Sequence, residues 1–343
     1  MMIPWRSNKN PRLNLALQGG GAHGAFTWGV LDALLEDGRV EFDGVSGTSA
    51  GAMNSVVLAY GLLQGGREGA RAALEKFWLA VADSPPIDLS VPGKGDTVQL
   101  GIPAKLMMQF MQYFSPHQLN PFNFNPLRDI VEAQIDFAAL REKSPVNLFI
   151  AATHANSGKL RLFRNHEMCT DVLLASACLP TIHHPVMIDG EPYWDGGYSA
   201  NPAIFPLLNE TRAEDTLMVL LTPITHPHTP VSVAQIKARI LEISFNATFL
   251  RAMRSLVDLR EQLKRSWLSR LGRLEQRTTG MHFHLIEAED FLGNLSVDSK
   301  LIANRRFFET LRKQGEIRAQ RWLEAHYGAI GKRSTVDLRE LFG

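Results

Sequence analysis

Three short segments hold residue types that can do chemistry. Gly47-Thr48-Ser49-Ala50-Gly51 is a G-x-S-x-G set between a short strand pattern and a helix pattern. In that setting a serine rides on a sharp turn with its hydroxyl presented at the sheet edge, and small flanking residues let the chain bend. The N-terminus of the following helix adds a positive field that favours developing negative charge. Gln18-Gly19-Gly20-Gly21-Ala22-His23-Gly24 is a glycine-rich loop between a strand and a helix. Its Gly19, Gly21 and Gly24 also fit G-x-G-x-x-G, the spacing of a pyrophosphate cradle. Tyr193-Trp194-Asp195-Gly196-Gly197 puts an acid at a strand end before two glycines that permit close backbone approach. Alone, that last segment reads first as a plain Asp-Gly turn.

A serine nucleophile needs a base. Histidine is the usual one, and the chain has 11. His23 falls in the glycine loop, while His154 and the His183-His184 pair fall near strand ends, so the residue types leave a Ser-His-Asp triad open. The two cysteines, Cys169 and Cys178, are too few for a disulfide scaffold or a four-ligand zinc site.

These segments must be held by elements, and the first half alternates strand and helix signals in the manner of an α/β layered fold. Leu13 to Leu17 is a strand candidate. Ala25 to Glu36 is a helix with Val30, Leu31, Leu34 and Leu35 on one face and Gly38 as its C-cap. Phe42 to Ser46 reads as a strand, and two helices follow, one through Leu63 and one over Glu68 to Val81. Prolines and glycines then interrupt residues 84–125. Within them Leu106 to Phe114 is rich in Met and Phe, and reads either as a buried helix patching the core or as a lid or acyl-chain groove. The α/β pattern resumes with strands over Val146–Thr153, Lys159–Phe163 and Thr216–Leu221, a helix over Asp171–Cys178, and a hairpin turning at Asp189-Gly190. The last third reads as mostly helical. Ile236, Ile240, Ile243, Ala247 and Leu250 form one stripe, suited to a core or to an interface between copies. Residues 251–277 then carry eight Arg/Lys against three Asp/Glu.

Taken in order, glycine loop, G-x-S-x-G and Asp-Gly-Gly resemble the patatin-like phospholipases, the family of plant patatin and its bacterial relatives. Ala151-Ala152-Thr153, Ala175-Ser176-Ala177-Cys178-Leu179-Pro180 and Asn201-Pro202 extend the likeness, which covers about residues 13–222. The resemblance implies a three-layer α/β/α sandwich with a central, mostly parallel sheet and a helical C-terminal extension. It implies a Ser-Asp dyad: Ser49 as nucleophile and Asp195 as general base, with no histidine. Backbone N–H groups of Gly19, Gly20, Gly21 and Ala22 would form the oxyanion hole, where losing one donor typically costs about 3–4 kcal/mol. Gly24, Gly47, Gly51, Gly196 and Gly197 would support these motifs. Free aspartate titrates near pH ~4, so a useful base needs either apolar surroundings, for which Tyr193 and Trp194 are the nearest candidates, or a hydrogen bond that forms only as serine loses its proton. Gln18 and His23 stand where many relatives have Asp or Gly and Arg or Lys.

The expected organisation is an N-terminal arm (1–12), a hydrolase domain (13–230) with a variable, lid-like insertion (84–125), and a mainly helical extension (231–343). The expected activity is hydrolysis of lipid or other acyl esters through an acyl-enzyme. Thioesterase, acyltransferase or storage-polyester depolymerase activity would use the same dyad, and a regulatory scaffold with a vestigial site or a nucleotide-binding module are the readings from other classes. No metal or cofactor is implied. With 36 Lys+Arg against 35 Asp+Glu the chain lacks the basic excess of a nucleic-acid-binding body. No run reaches the roughly 18 apolar residues of a membrane span. The expected location is therefore cytoplasmic, with the basic C-terminal helices as a peripheral contact to anionic lipid at the inner membrane surface.

Overall fold

A computed structural model describes residues 10–85, 90–93, 98–111, 113–226, 229–265 and 272–343. The expected N-terminal arm thus lies largely outside the described residues, as do parts of the 84–125 insertion. Among the described residues ten strands run in chain order as β1 (Arg12–Leu17), β2 (Glu41–Thr48), β3 (Ser90–Pro92), β4 (Val98–Leu100), β5 (Asn147–His154), β6 (Leu160–Arg164), β7 (Val186–Ile188), β8 (Glu191–Asp195), β9 (Asp215–Val219) and β10 (His282–Ile286). The helices are α1 (Gly24–Asp37), α2 (Ala50–Asp83), α3 (Ile102–Met111), α4 (Pro116–Leu119), α5 (Pro126–Gln134), α6 (Phe137–Lys143), α7 (Thr170–Ser176), α8 (Phe205–Asn209), α9 (Val233–Arg265), α10 (Arg273–Gly280), α11 (Glu289–Leu292), α12 (Arg305–His326) and α13 (Leu338–Phe342).

The main sheet has the order β10-β9-β1-β2-β5-β8-β7, with β6 also on β5. Pairing is parallel from β10 through β5 and antiparallel where β6, β7 and β8 join. It is a mixed, mostly parallel sheet between helical layers, as the sequence reading expected. The strands are apolar on both faces because both are covered: in β9 every residue is buried.

Helix α1 shows the layering most clearly. It was expected to have one apolar face, yet it is buried from Gly24 through Leu35. The sheet covers one side and α12 the other, with Arg312 against the Trp28 ring. Gly38 ends the helix in the left-handed region at φ 75, as expected of a C-cap. Buried Asp32 accepts hydrogen bonds from Arg71 of α2 at 2.7 Å and Arg312 of α12 at 3.3 Å, joining three helices through one carboxylate. Helix α2 breaks at Gly65 and Gly66, where the sequence suggested two helices.

Residues beyond 230 also build the sheet: β10 pairs along the whole of β9 as an edge strand, within a region expected to be mainly helical. One of the two readings of Leu106–Phe114 needs correction. Helix α3 is not a buried patch on the core: only Ala104 is buried, and Leu106, Met107 and Phe110 are exposed. Among the described residues no helix is long and apolar enough to cross a membrane.

Candidate active site

Sheet register explains how Ser49 and Asp195, 146 positions apart, come together. Strands β2 and β6 both pair with residues 149–151 of β5, and β6 and β8 both pair with 152–153. One strand has two edges, so β2 and β8 must share an edge of β5, end to end. Thr48 stands opposite Ala151 and Asp195 opposite the next residue, Ala152. The residue that follows β2 and the last residue of β8 therefore meet.

Ser49 takes φ 54 and ψ −120, a conformation costly for a residue with a Cβ. Its N–H donates to Ser176 Oγ of α7 at 2.9 Å, and its carbonyl accepts from Met53 N in the first turn of α2. The elbow glycines are sterically required. A Cβ at Gly51 would overlap Leu17 O at the end of β1, and one at Gly47 would overlap Gly51 O and Ser55 Oγ. Thr48 Oγ1 anchors the turn by donating to Ala200 O at 2.7 Å.

Asp195 is 1% exposed. Its Oδ1 accepts from Gly197 N at 2.7 Å, whereas Oδ2 is buried with no hydrogen-bond partner. Burial raises its pKa to about 7, against smaller opposing contributions from the Gly197 N–H and from the Ser49 side chain. Asp195 N donates to Cys178 O at 2.8 Å, and Thr153 Oγ1 donates to Asp195 O at 2.8 Å. Tyr193 packs its ring on Phe163 and His154. Over the Asp195-Gly196-Gly197 turn lies Phe245 of α9, so close that a Cβ at Gly197 would overlap its ring. Tyr198 stacks on the same Phe245, with centroids 4.6 Å apart.

The glycine loop passes beside the serine. A Cβ at Gly19 would fall 2.8 Å from Ser49 Cβ. Gly19 itself requires a correction: its N–H already donates to Asn201 Oδ1 at 2.7 Å, which removes it from the oxyanion-hole donors. Gly20, Gly21 and Ala22 open a short 3-10 turn, and amides at the start of a helix have no partner within it. Gly21 has φ 57 and a Cβ there would overlap Lys300 O, so the turn is pressed against residues 297–301.

The two residues that depart from the family pattern are both buried. Gln18 is a hub: its Oε1 accepts from Leu221 N at 2.6 Å and Thr222 N at 2.9 Å, and its Nε2 donates to Asn246 Oδ1 of α9 at 2.9 Å. Burial, and then the charge of Lys300, push the His23 pKa down to about 3, so the ring is neutral. Since Ser299 Oγ donates to Ser296 O, His23 Nε2 is the donor in its 2.7 Å bond to Ser299 Oγ. His154 bonds Glu191 and Ser157, and His184 bonds Pro116 O. None of these bonds leads to Ser49. Burial also lifts the neighbouring Cys178 thiol to about 12, too high for a thiolate.

Sequence reasoning missed Ser176, Asn201, Phe245 and Asn246 as parts of the site. The first two stand within quoted motifs but carried no role, while the α9 pair has no sequence signal near the motifs. A cavity of about 520 Å³ lined by Thr225, Glu287, Asp290 and Arg318, among others, touches neither Ser49 nor Asp195. Among the described residues no cluster of three or more His, Cys, Asp or Glu is arranged to hold a metal ion.

The family model described as patatin-like phospholipase matches residues 15–208, the span that holds all three motifs. No curated protein matches the chain. Among solved structures, VipD from Legionella pneumophila aligns over 95% of this chain and 72% of its own, with 16% identity and a TM-score of 0.41. The ExoU–SpcU complex from the type III secretion system of Pseudomonas aeruginosa aligns over 97% and 74%, with 17% identity and a TM-score of 0.29.

Proposed function

The chain belongs to the patatin-like phospholipase family, whose members hydrolyse esters, and from that premise we propose that it cleaves carboxylic ester bonds of lipids through Ser49 and Asp195. The observation that carries this reading is a buried carboxyl with one unpartnered oxygen, set beside a serine on a strained elbow.

Ionised Asp195 takes the Ser49 Oγ proton on Oδ2 as Oγ adds to the acyl carbonyl and an electron pair moves onto the carbonyl oxygen. The amides of Gly20, Gly21 and Ala22, with the α2 N-terminus behind them, would stabilise that oxyanion. Collapse expels the alcohol, which leaves with the proton held by Asp195, and an acyl-Ser49 ester remains. Water then gives a proton to Asp195 and adds to this ester. Expulsion of the Ser49 oxygen, reprotonated by Asp195, frees the fatty acid. A fluorophosphonate probe is expected to label the wild-type protein and not Ser49→Ala; an unlabelled wild type would overturn the assignment.

The pH dependence follows from the raised pKa. Asp195 works as a base only when ionised, so kcat/KM for a soluble ester should fall as pH drops through about 7. A rate profile flat from about pH 5 to 9, or one that breaks near the ordinary carboxylate value of about 4, would show that the base at work does not have the raised pKa of a desolvated Asp195.

A further inference from the structure

Surface helices of globular proteins turn their apolar stripe inward, and α3 does the reverse. Ile102, Leu106 and Phe110 recur at every fourth residue and are all more than half exposed, while Ala104 is buried. Phe110 stacks on Phe114 with centroids 5.2 Å apart. Beyond α4, Asn120 closes a turn: its Nδ2 donates to Phe124 O at 2.8 Å and its Oδ1 accepts from Phe124 N at 2.9 Å. That turn holds Phe122 94% exposed and Phe124 68% exposed. Aromatic rings turned outward in a clustered segment are unlike apolar residues scattered singly over a surface.

This segment adjoins the candidate site. Pro116 O accepts from His184 Nε2 at 3.2 Å, and the His117 ring lies 3.9 Å from that of His184. His184 O in turn contacts Cys178 Sγ, and Cys178 O accepts from Asp195 N. Helix α9 reaches the site from another direction through Phe245 on Gly197. Toward its N-terminus Val233, Ile236, Ile240 and Ile243 are exposed, so the stripe suited by sequence to a core or an interface faces outward.

Charge identifies the occupant. The sequence has no Asp or Glu between Asp96 and Asp129, and none between Asp215 and Glu242, whereas Lys105 and Lys237 fall inside these two stretches. Outward aromatic and aliphatic side chains with cations and without carboxylates suit an anionic lipid interface. We propose that α3, the Asn120 turn and the first half of α9 form a docking surface for an anionic bilayer, seating the Ser49–Asp195 site on the membrane. The proposal rests on the lipid-ester reading of that site. It moves the expected membrane contact away from the C-terminal helices: in the basic stretch 251–277 Arg260 donates to Met281 O and Arg277 to Leu208 O, and on α12 Arg305 pairs with Asp83, Arg318 with Asp290 and Arg312 with Glu309.

The test uses the full chain carrying Ser49→Ala, which leaves lipid intact, and vesicles of phosphatidylcholine alone or mixed equally with phosphatidylglycerol. Flotation should show the Phe110→Ser, Phe122→Ser, Phe124→Ser combination binding mixed vesicles at least about tenfold more weakly. Lys105→Glu with Lys237→Glu should abolish the preference for mixed vesicles. With Ser49 restored, the triple-Ser combination should hydrolyse a short soluble p-nitrophenyl ester within about twofold of wild type while losing activity on vesicle lipid. Undiminished vesicle binding by the triple-Ser protein would overturn the proposal. So would gel filtration showing a wild-type dimer that the triple-Ser change makes monomeric, since a second copy would then cover the patch. A wild type that binds vesicles but hydrolyses no soluble ester supports the docking surface and counts against the dyad reading alone.

Discussion

Replacing Asp195 with Asn lowers ester hydrolysis by roughly 10⁴-fold and, at pH 8, raises the melting temperature of the protein. The loss follows from removing the carboxyl proposed to take the Ser49 proton, a deletion of the size seen when a catalytic base is removed. The gain follows from linkage. The folded-state pKa of Asp195 is about 7 against a reference of 3.8, so the fold holds a proton that the unfolded chain has released. Its contribution to stability is fully present below the unfolded value and is lost as pH rises through about 7. Above that, the fold carries a buried charge costing on the order of 4 kcal/mol, which a neutral amide avoids. The difference in melting temperature should therefore be several degrees at pH 8 and shrink toward pH 4. Thermal melts of the two proteins across that range, beside rates on one soluble ester, decide the matter. Loss of activity with no pH-dependent gain would mean that Asp195 is not a desolvated base.

The largest stability effect is expected far from the site, at Gly29. Helices α1 and α12 touch backbone to backbone: a Cβ at Gly29 would overlap Arg312 O, and one at Gly315 would overlap Phe26 O. Neither obstacle is a flexible side chain that can swing aside, so the helices must separate. That strips packing from Phe307, Phe308 and Leu311 of α12, all buried against the core. Gly29→Ala should cost more than about 4 kcal/mol, against the roughly 1 kcal/mol by which Ala ordinarily favours a helix over Gly. Gly328→Ala, where a Cβ meets nothing within 4 Å, is the control and should lie within about 0.5 kcal/mol of wild type. Chemical denaturation of the three proteins measures this, and a Gly29→Ala midpoint equal to that of the control would refute the backbone contact.

What was legible in the sequence was local. The three motifs, the helix ending at Gly38 and the break at Gly65-Gly66 are written in glycines whose backbone role does not depend on distant partners. What was not legible depends on what packs against what. Periodicity marked one face of α1 but not the cover that α12 adds. In β10, His284 reads as a polar position, yet it is fully buried because Asp215 accepts from its Nε2 at 2.9 Å. The stripe on α3 has the spacing of a core-facing helix, and nothing in the spacing says which way it faces. Gly19 has the right residue type for an oxyanion donor, but Asn201, far along the chain, takes its N–H. Phe245 and Asn246 reach the site for the same reason: a long helix passes over it.

The partnership of α1 with α12 and of β9 with β10 also sets an order of events. The second strand from one edge of the sheet, and the helix beside the glycine loop, wait for residues 282–326. A ribosome working from the N-terminus therefore releases Ser49 and Asp195 long before their supporting layers exist. Contacts of such long sequence separation slow folding. A growing chain should consequently carry no hydrolytic activity until residues 282–326 have emerged to complete the sheet and the α1 layer.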